Sequence, residues 1–172
     1  IWVEPLHQEI LHKRFLIRAS LFNEEYANAI NFHKEQIQIY KQIQKLIKDF
    51  KARLKGNYLE QKLFASEVEA LQKEIHVPDL LFEIIYCAKS LFIRLKNMRV
   101  YKRKCEKFSP SKVPELMVRE NQLIEQIVRL LNIPYTANVF NESFNNKDVL
   151  AIYNRMIAYL IEIYEQQTWI ER

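Results

Sequence analysis

The chain contains a single glycine, Gly56, among its 172 residues. Glycine adopts positive φ without steric cost, and tight β-hairpins, glycine-rich phosphate loops and strained catalytic turns usually require it. A chain with one glycine is therefore expected to contain few such turns. The five prolines can break helices but cannot replace glycine in such turns. The sequence therefore predicts an all-α protein.

Apolar residues recur every three or four positions through most of the chain, as they do in amphipathic helices. The second predicted helix has the longest such stripe, with a capped start offered at Asn23 and an end at Gly56. The stripe consists of Tyr26, Ile30, His33, Ile37, Tyr40, Ile43, Ile47, Phe50 and Leu54. About 32 residues would make a helix roughly 48 Å long.

Prolines and capping residues delimit the other predicted helices. These run over about 5–20, 58–76, 79–108, 114–132 and 147–172, with a break at 109–111 and a loop over 133–146. Five residues of the third helix are predicted to face the core: Leu59, Leu63, Val68, Leu71 and Ile75. The last helix is apolar around most of its circumference between Val149 and Tyr164, so we predict that it lies at the centre.

Short connections between neighbouring helices favour antiparallel packing. The predicted fold is therefore an antiparallel bundle of five to six helices, two of them long, in one domain over residues 1–172. Because the chain opens at Ile1 without an initiating Met, we expect this domain to be excised from a longer protein.

Sequence patterns for chemistry are weak. Two Glu-x-x-His elements, Glu4 to His7 and Glu9 to His12, resemble a metal-ligand pattern, but their five-residue offset turns them about 140° apart on one helix. Neither a metal nor a cofactor is predicted, and no catalytic residue is assigned. His33 is expected at the margin of the core.

The two cysteines indicate a reducing compartment. Cys87 and Cys105 lie 18 residues apart on one predicted helix, roughly 27 Å from each other, so they cannot form a disulfide. Although cations surround Cys105 in the sequence, its place on the apolar face predicts a packed thiol. A cytoplasmic location is expected.

Charge is unevenly distributed along the chain. Up to Lys112 there are 21 Lys and Arg against 13 Asp and Glu, and afterwards there are 5 against 8. On the fourth helix we identify a basic row, which consists of Lys96, Arg99, Arg103 and Lys107; a looser row on the second helix consists of Lys34, Lys41, Lys45, Lys48 and Lys55. Such rows suit phosphates, anionic membranes or acidic proteins, or simply keep long helices soluble.

The fifth helix has more apolar surface than one neighbour requires. One apolar row, Leu116, Leu123, Ile127 and Leu130, lies beside a second row of Ile124, Val128 and Leu131. One row is available for a partner unless the last helix covers both. Trp2 and Trp169 near the termini would either meet or anchor an interface.

These features favour a non-enzymatic scaffold or adaptor domain, associated with the cytoplasm or cytoskeleton, that docks a helix or peptide of another protein. The predicted partner-binding residues are the basic row, the first apolar row of the fifth helix and Trp169. The alternatives are a binder of nucleic acid, acidic protein tails or anionic membranes, and a helical small-ligand carrier or enzyme. The sequence leaves open the oligomeric state and whether Ser109, before Pro110, is phosphorylated.

Overall fold

The computed structural model describes the backbone of residues 4–74, 77, 79–136 and 147–171, and the side chains of residues 4–70, 77, 79–134 and 147–165. Six α-helices and no strand lie within these ranges, which confirms the predicted class and number of helices. They are α1 (Glu4–Phe22), α2 (Tyr26–Arg53), α3 (Tyr58–Glu74), α4 (Leu80–Phe108), α5 (Val113–Thr136) and α6 (Lys147–Glu171), with a 3₁₀ turn at Pro110–Lys112. Two long helices were predicted, and α2 and α4 have 28 and 29 residues. The antiparallel arrangement stays a prediction.

Local sequence signals set several helix ends. Gly56 has φ of +97° just after α2, in the left-handed conformation that favours glycine, so the predicted stop is confirmed. The end of α5 differs from the prediction, because the helix passes Pro134 instead of ending near Asn132. A proline in the last turn removes only one helical hydrogen bond, which the buried position of Pro134 offsets.

The chain divides into two compact units, a division that the single-domain prediction did not include. The first unit comprises Ile1–Ser20 and Glu25–Pro78, and the second comprises Leu21–Glu24 and Asp79–Arg172. The first unit therefore holds most of α1 with α2 and α3, whereas the second holds α4, α5 and α6.

The core of the first unit joins α1, α2 and α3. Its buried residues are Ile10, Ile39, Ile43, Ile47, Phe64 and Val68. Beside this cluster the buried Gln36 of α2 donates a hydrogen bond from Nε2 to the backbone oxygen of Ile10, at 3.0 Å. Sliding α1 along α2 would break this bond and leave the buried amide nitrogen without an acceptor, at a cost of about 1 to 3 kcal/mol. The bond therefore favours one register of α1 on α2.

The predicted inward face of α3 is wrong in its first half. Leu59 and Leu63 are 68% and 63% exposed, and Phe64 packs in the core instead, beside Val68 as predicted. The rings of Phe64 and of Phe50 on α2 lie 4.6 Å apart between centroids. Phe64, which is larger than Leu63 and contacts a second aromatic ring, therefore occupies the buried position. The side chains of Leu71 and Ile75 lie outside the described residues.

In the second unit α4 is the element against which both α5 and α6 pack. Its first half is buried on most sides, whereas α6 buries one stripe of five residues: Val149, Tyr153, Met156, Leu160 and Ile163. Tyr159, Ile161 and Tyr164 of α6 are exposed. The prediction that the last helix lies at the centre is therefore wrong, and the reason is that its apolar residues outnumber the positions that its neighbours cover.

A corner of four residues, Leu21–Glu24, ends α1 and belongs to the second unit. The backbone N–H of Glu25 donates to the oxygen of Ser20 at 2.8 Å, that of Glu24 donates to Leu21 at 3.3 Å, and Glu24 has φ of +60°. This is a Schellman ending with glutamate where glycine is usual. Asn23 therefore belongs to the end of α1 and does not cap α2, contrary to the sequence prediction.

Side chains of the second unit hold this corner in place. Gln126 of α5 donates from Nε2 to the backbone oxygen of Phe22 at 2.9 Å, and the Phe22 ring lies 5.3 Å from the guanidinium carbon of Arg94. Glu24 accepts from Nε of Arg129 at 2.8 Å. The glutamate thus gains an ion pair at the position where its backbone is strained.

Candidate partner-binding site

The outward face of α4 carries most of the predicted basic row. Lys96, Arg103 and Lys107 are exposed, and at about 100° per residue they lie within a 40° arc of the helix. Two exposed aromatic residues, Phe82 and Tyr86, lie on the adjoining arc toward the start of the helix. The face therefore changes from aromatic to cationic along its length.

Arg99 does not belong to this exposed row. Its Nε donates to Oε1 of Glu120 on α5 at 2.9 Å, and Nζ of Lys102 donates to Oε2 of the same carboxylate at 2.6 Å. The Arg99 side chain is only partly exposed, and Glu120 is buried. Arg99 is thus engaged inside the molecule, and its assignment to a partner-binding row is corrected.

The two cations keep Glu120 ionised. Burial by itself would raise the pKa of this carboxyl, but the hydrogen bonds and positive charges of Lys102 and Arg99 outweigh burial and hold the pKa below its ordinary value. The three side chains form a charged clamp between α4 and α5. The clamp is a structural contact, since each oxygen of the buried carboxylate already accepts a hydrogen bond.

The apolar row predicted for a partner on α5 lies in the core. All four of its residues are buried: Leu116, Leu123, Ile127 and Leu130. Ile124 and Leu131 of the second row are buried as well and Val128 is half-buried, so internal packing covers the first row and most of the second. These residues are removed from the partner-binding set, because buried side chains leave a partner no area to contact.

A groove between α4 and α6 was not predicted. It has a volume of about 640 Å³ and opens to solvent. Seven residues line it: Lys89, Phe92, Ile93, Ile152, Arg155, Met156 and Tyr159. We call this the α4–α6 groove.

The groove has an apolar lining with a cation on each helix. The rings of Phe92 and Tyr159 meet edge to face across it, with 5.3 Å between centroids. Ile93 is 60% exposed, although it is a large apolar side chain. Lys89 of α4 and Arg155 of α6 are exposed, and none of the seven lining residues is acidic.

The groove continues the outward face of α4. Phe82, Tyr86, Lys89 and Ile93 fall within an arc of about 60° on an α-helix. From Phe82 to Ile93 the helix rises about 16 Å, which matches three turns of a second helix. A cationic and apolar strip of this length suits an amphipathic segment better than a compact small molecule.

Other candidates from the sequence do not converge on a site. Among the described residues no group of three or more His, Cys, Asp and Glu side chains is placed to hold a metal ion. His33 is buried on α2, and both Cys87 and Cys105 are buried and outside any disulfide. Trp2, His76 and the side chain of Trp169 lie outside the described residues.

Comparison of the chain with protein-family models, with curated proteins and with solved structures finds no match. No helix within the described ranges combines the length and the apolar character needed to cross a lipid bilayer. The surface chemistry of the two units is thus what indicates a function.

Proposed function

We propose that this chain is a non-enzymatic interaction domain that docks an acidic amphipathic helix of a partner protein into the α4–α6 groove. The observation that carries the proposal is the combination of exposed Ile93 with two flanking cations, Lys89 and Arg155, in a groove without an acidic residue. Helices dock in such grooves by placing apolar anchors at i, i+3, i+4 and i+7.

Two physical effects act together in this proposal. Burial of the anchors against Phe92, Met156 and Tyr159 supplies the affinity, at about 25 cal/mol per Å² of apolar area removed from water. The remaining exposed members of the basic row, Lys96 and Arg103 foremost, attract carboxylates and accelerate the encounter. The partner is therefore expected to carry acidic residues along the face that borders its apolar stripe.

The shape of the groove favours a helix over a small ligand. Pockets for small molecules enclose most of the ligand surface. The α4–α6 groove is open along one side, so a compact ligand would remain largely hydrated. A helix needs only one face covered, which an open groove provides.

The proposal is tested by titrating the chain with a panel of fluorescent helical peptides of about 18 residues. One set has an apolar stripe bordered by glutamates, a second has the same stripe bordered by lysines, and a third scrambles the acidic set. We expect the acidic amphipathic set to bind most tightly and to lose at least tenfold in affinity with Ile93→Asn. Equal binding of all three sets, or no binding of any, would contradict the proposal.

The matched control is Ile161→Asn. Ile161 is 53% exposed on the face of α6 opposite to the groove, so the same substitution removes the same side chain from a different surface. The control is expected to leave peptide affinity within about twofold of the unmodified chain, since surface substitutions away from a contact change free energies by less than about 0.5 kcal/mol.

A further inference from the structure

The turn between α2 and α3 carries large apolar side chains next to cations. We call residues 51–63 the hairpin tip. It contains Lys51, Arg53, Lys55 and Lys62 against one acidic residue, Glu60, and all five side chains are exposed. Its large exposed apolar residues are Tyr58, Leu59 and Leu63, and Tyr58 is 77% exposed.

Hydrogen bonds hold the hairpin tip in one conformation. The backbone N–H of Asn57 and Nε2 of Gln61 both donate to the backbone oxygen of Leu54, at 3.0 and 2.9 Å. Oδ1 of Asn57 accepts from the N–H of Glu60 at 3.2 Å and so caps α3. Because the turn is already ordered, its exposed side chains can bind a surface with little further loss of conformational entropy.

We propose that the hairpin tip docks on an anionic lipid surface, with Tyr58, Leu59 and Leu63 entering the boundary between headgroups and acyl chains. Apolar side chains flanked by Lys and Arg bind anionic bilayers by combining burial with electrostatic attraction. The high exposure of all three apolar side chains means that no neighbouring wall forms a groove for a peptide around them. A lipid interface is fluid and closes around such side chains without a preformed wall.

The arrangement of Tyr58 and Lys62 fits this boundary. Nζ of Lys62 lies 6.0 Å from the centroid of the Tyr58 ring. A tyrosine ring with its hydroxyl, and a lysine with its long methylene stem, both place an apolar body in lipid and a polar end in water.

A nucleic acid fits the hairpin tip less well. Binding of single strands without sequence preference relies on several aromatic side chains on which successive bases stack. The hairpin tip has one aromatic residue, Tyr58, and the ammonium of Lys62 lies over its ring. The exposed leucines would remain in water on a phosphate backbone, whereas a bilayer buries them.

The experiment is partition of the 172-residue chain onto vesicles of phosphatidylcholine alone or with about 30% phosphatidylserine, in about 0.1 M salt. We expect binding to the anionic vesicles only. Lys51→Gln/Arg53→Gln/Lys55→Gln should weaken it by roughly 100-fold, at about fivefold for each cation near the surface. The control Lys104→Gln/Lys112→Gln/Lys147→Gln makes the same change in net charge at exposed lysines of the second unit and should have an effect of less than about threefold.

A second arm tests insertion of the leucines. Leu59→Asn/Leu63→Asn should weaken partition by roughly tenfold or more, because their burial in the interface is lost. Met117→Asn/Val118→Asn removes two other exposed apolar residues and should have little effect. The proposal is overturned by failure to bind anionic vesicles, by equal losses in the cation variants and their control, or by leucine variants that bind unchanged. Binding to duplex DNA or RNA with the same dependence on the hairpin tip, and none to vesicles, would overturn it too.

Discussion

Glu120 on α5 accepts a hydrogen bond of 2.9 Å from Nε of Arg99 on α4. This contact distinguishes Arg99, whose charge is paired inside the molecule, from the cations of α4 that face solvent. Arg99 lies one helical turn from Lys96, yet it faces a buried carboxylate while Lys96 faces solvent. Lys102 completes the clamp from the same side. Of the basic row, Lys96, Arg103 and Lys107 are therefore the members whose charge is exposed on α4.

The first prediction concerns the stability of this clamp. Glu120→Gln should lower the free energy of unfolding by about 3 kcal/mol, at the lower end of the cost of breaking a buried ion pair because both cations retain some exposure. The matched control is Glu115→Gln on the same helix, which removes an exposed i,i+4 partner of Arg119 and should cost less than about 0.5 kcal/mol. Urea unfolding of both variants measures the difference; equal losses would contradict the clamp.

The second prediction concerns the pH dependence of the same contribution. The pKa of Glu120 in the folded chain lies below its ordinary value of 4.5, so the ionised carboxylate stabilises the fold. The stability difference between the unmodified chain and Glu120→Gln should be constant near neutral pH. It should shrink as the pH falls from about 4.5 through the folded pKa. Unfolding curves across this range measure it, and a difference that grows on acidification would contradict the lowered pKa.

The third prediction concerns the strained glutamate at the end of α1. In a background of Arg129→Gln, where its ion pair is already absent, Glu24→Gly should raise the free energy of unfolding by about 1 kcal/mol because glycine adopts positive φ without a Cβ clash. Asn23→Gly is the neighbouring control and should lower stability, since positive φ is not required there. If both glycines lowered stability equally, the Schellman ending would be contradicted.

The fourth prediction tests which face of α3 is buried. Phe64→Ala should lower the free energy of unfolding by about 3 to 5 kcal/mol, because it leaves a cavity beside Phe50. Leu63→Ala, at the preceding residue, should change it by less than about 0.5 kcal/mol. Chemical denaturation measures both changes. A larger loss of unfolding free energy for Leu63→Ala than for Phe64→Ala would indicate that α3 buries the face predicted from the sequence.

Sequence patterns predict the helical elements well because their signals are local. The scarcity of glycine excludes strand-rich folds, and Gly56 and Pro110 mark breaks that the structure contains. The face that a helix buries is harder to predict. Leu59 and Leu63 have the same four-residue spacing as Phe64 and Val68, so periodicity cannot distinguish the two faces of α3.

The candidate site depends on contacts that are distant in sequence. Arg99 has the same local pattern as the exposed cations, and only Glu120, 21 residues later, removes it from the surface. The α4–α6 groove joins Ile93 to Tyr159 and has no local motif. One signal was present in the sequence, since Ile93 shares the face of α4 that bears Lys89 and Lys96.

Docking of an acidic amphipathic helix in the α4–α6 groove, as we propose, is tested most directly by site-specific photo-crosslinking in cells. A benzophenone side chain replaces Ile93 in one variant and Ile161 in a matched variant, and mass spectrometry identifies the captured peptide. We predict capture at position 93 of a helical segment with carboxylates bordering an apolar stripe, absent at 161 and reduced by Lys89→Glu. Identical captures at both positions, or captured segments without acidic residues, would contradict the claim.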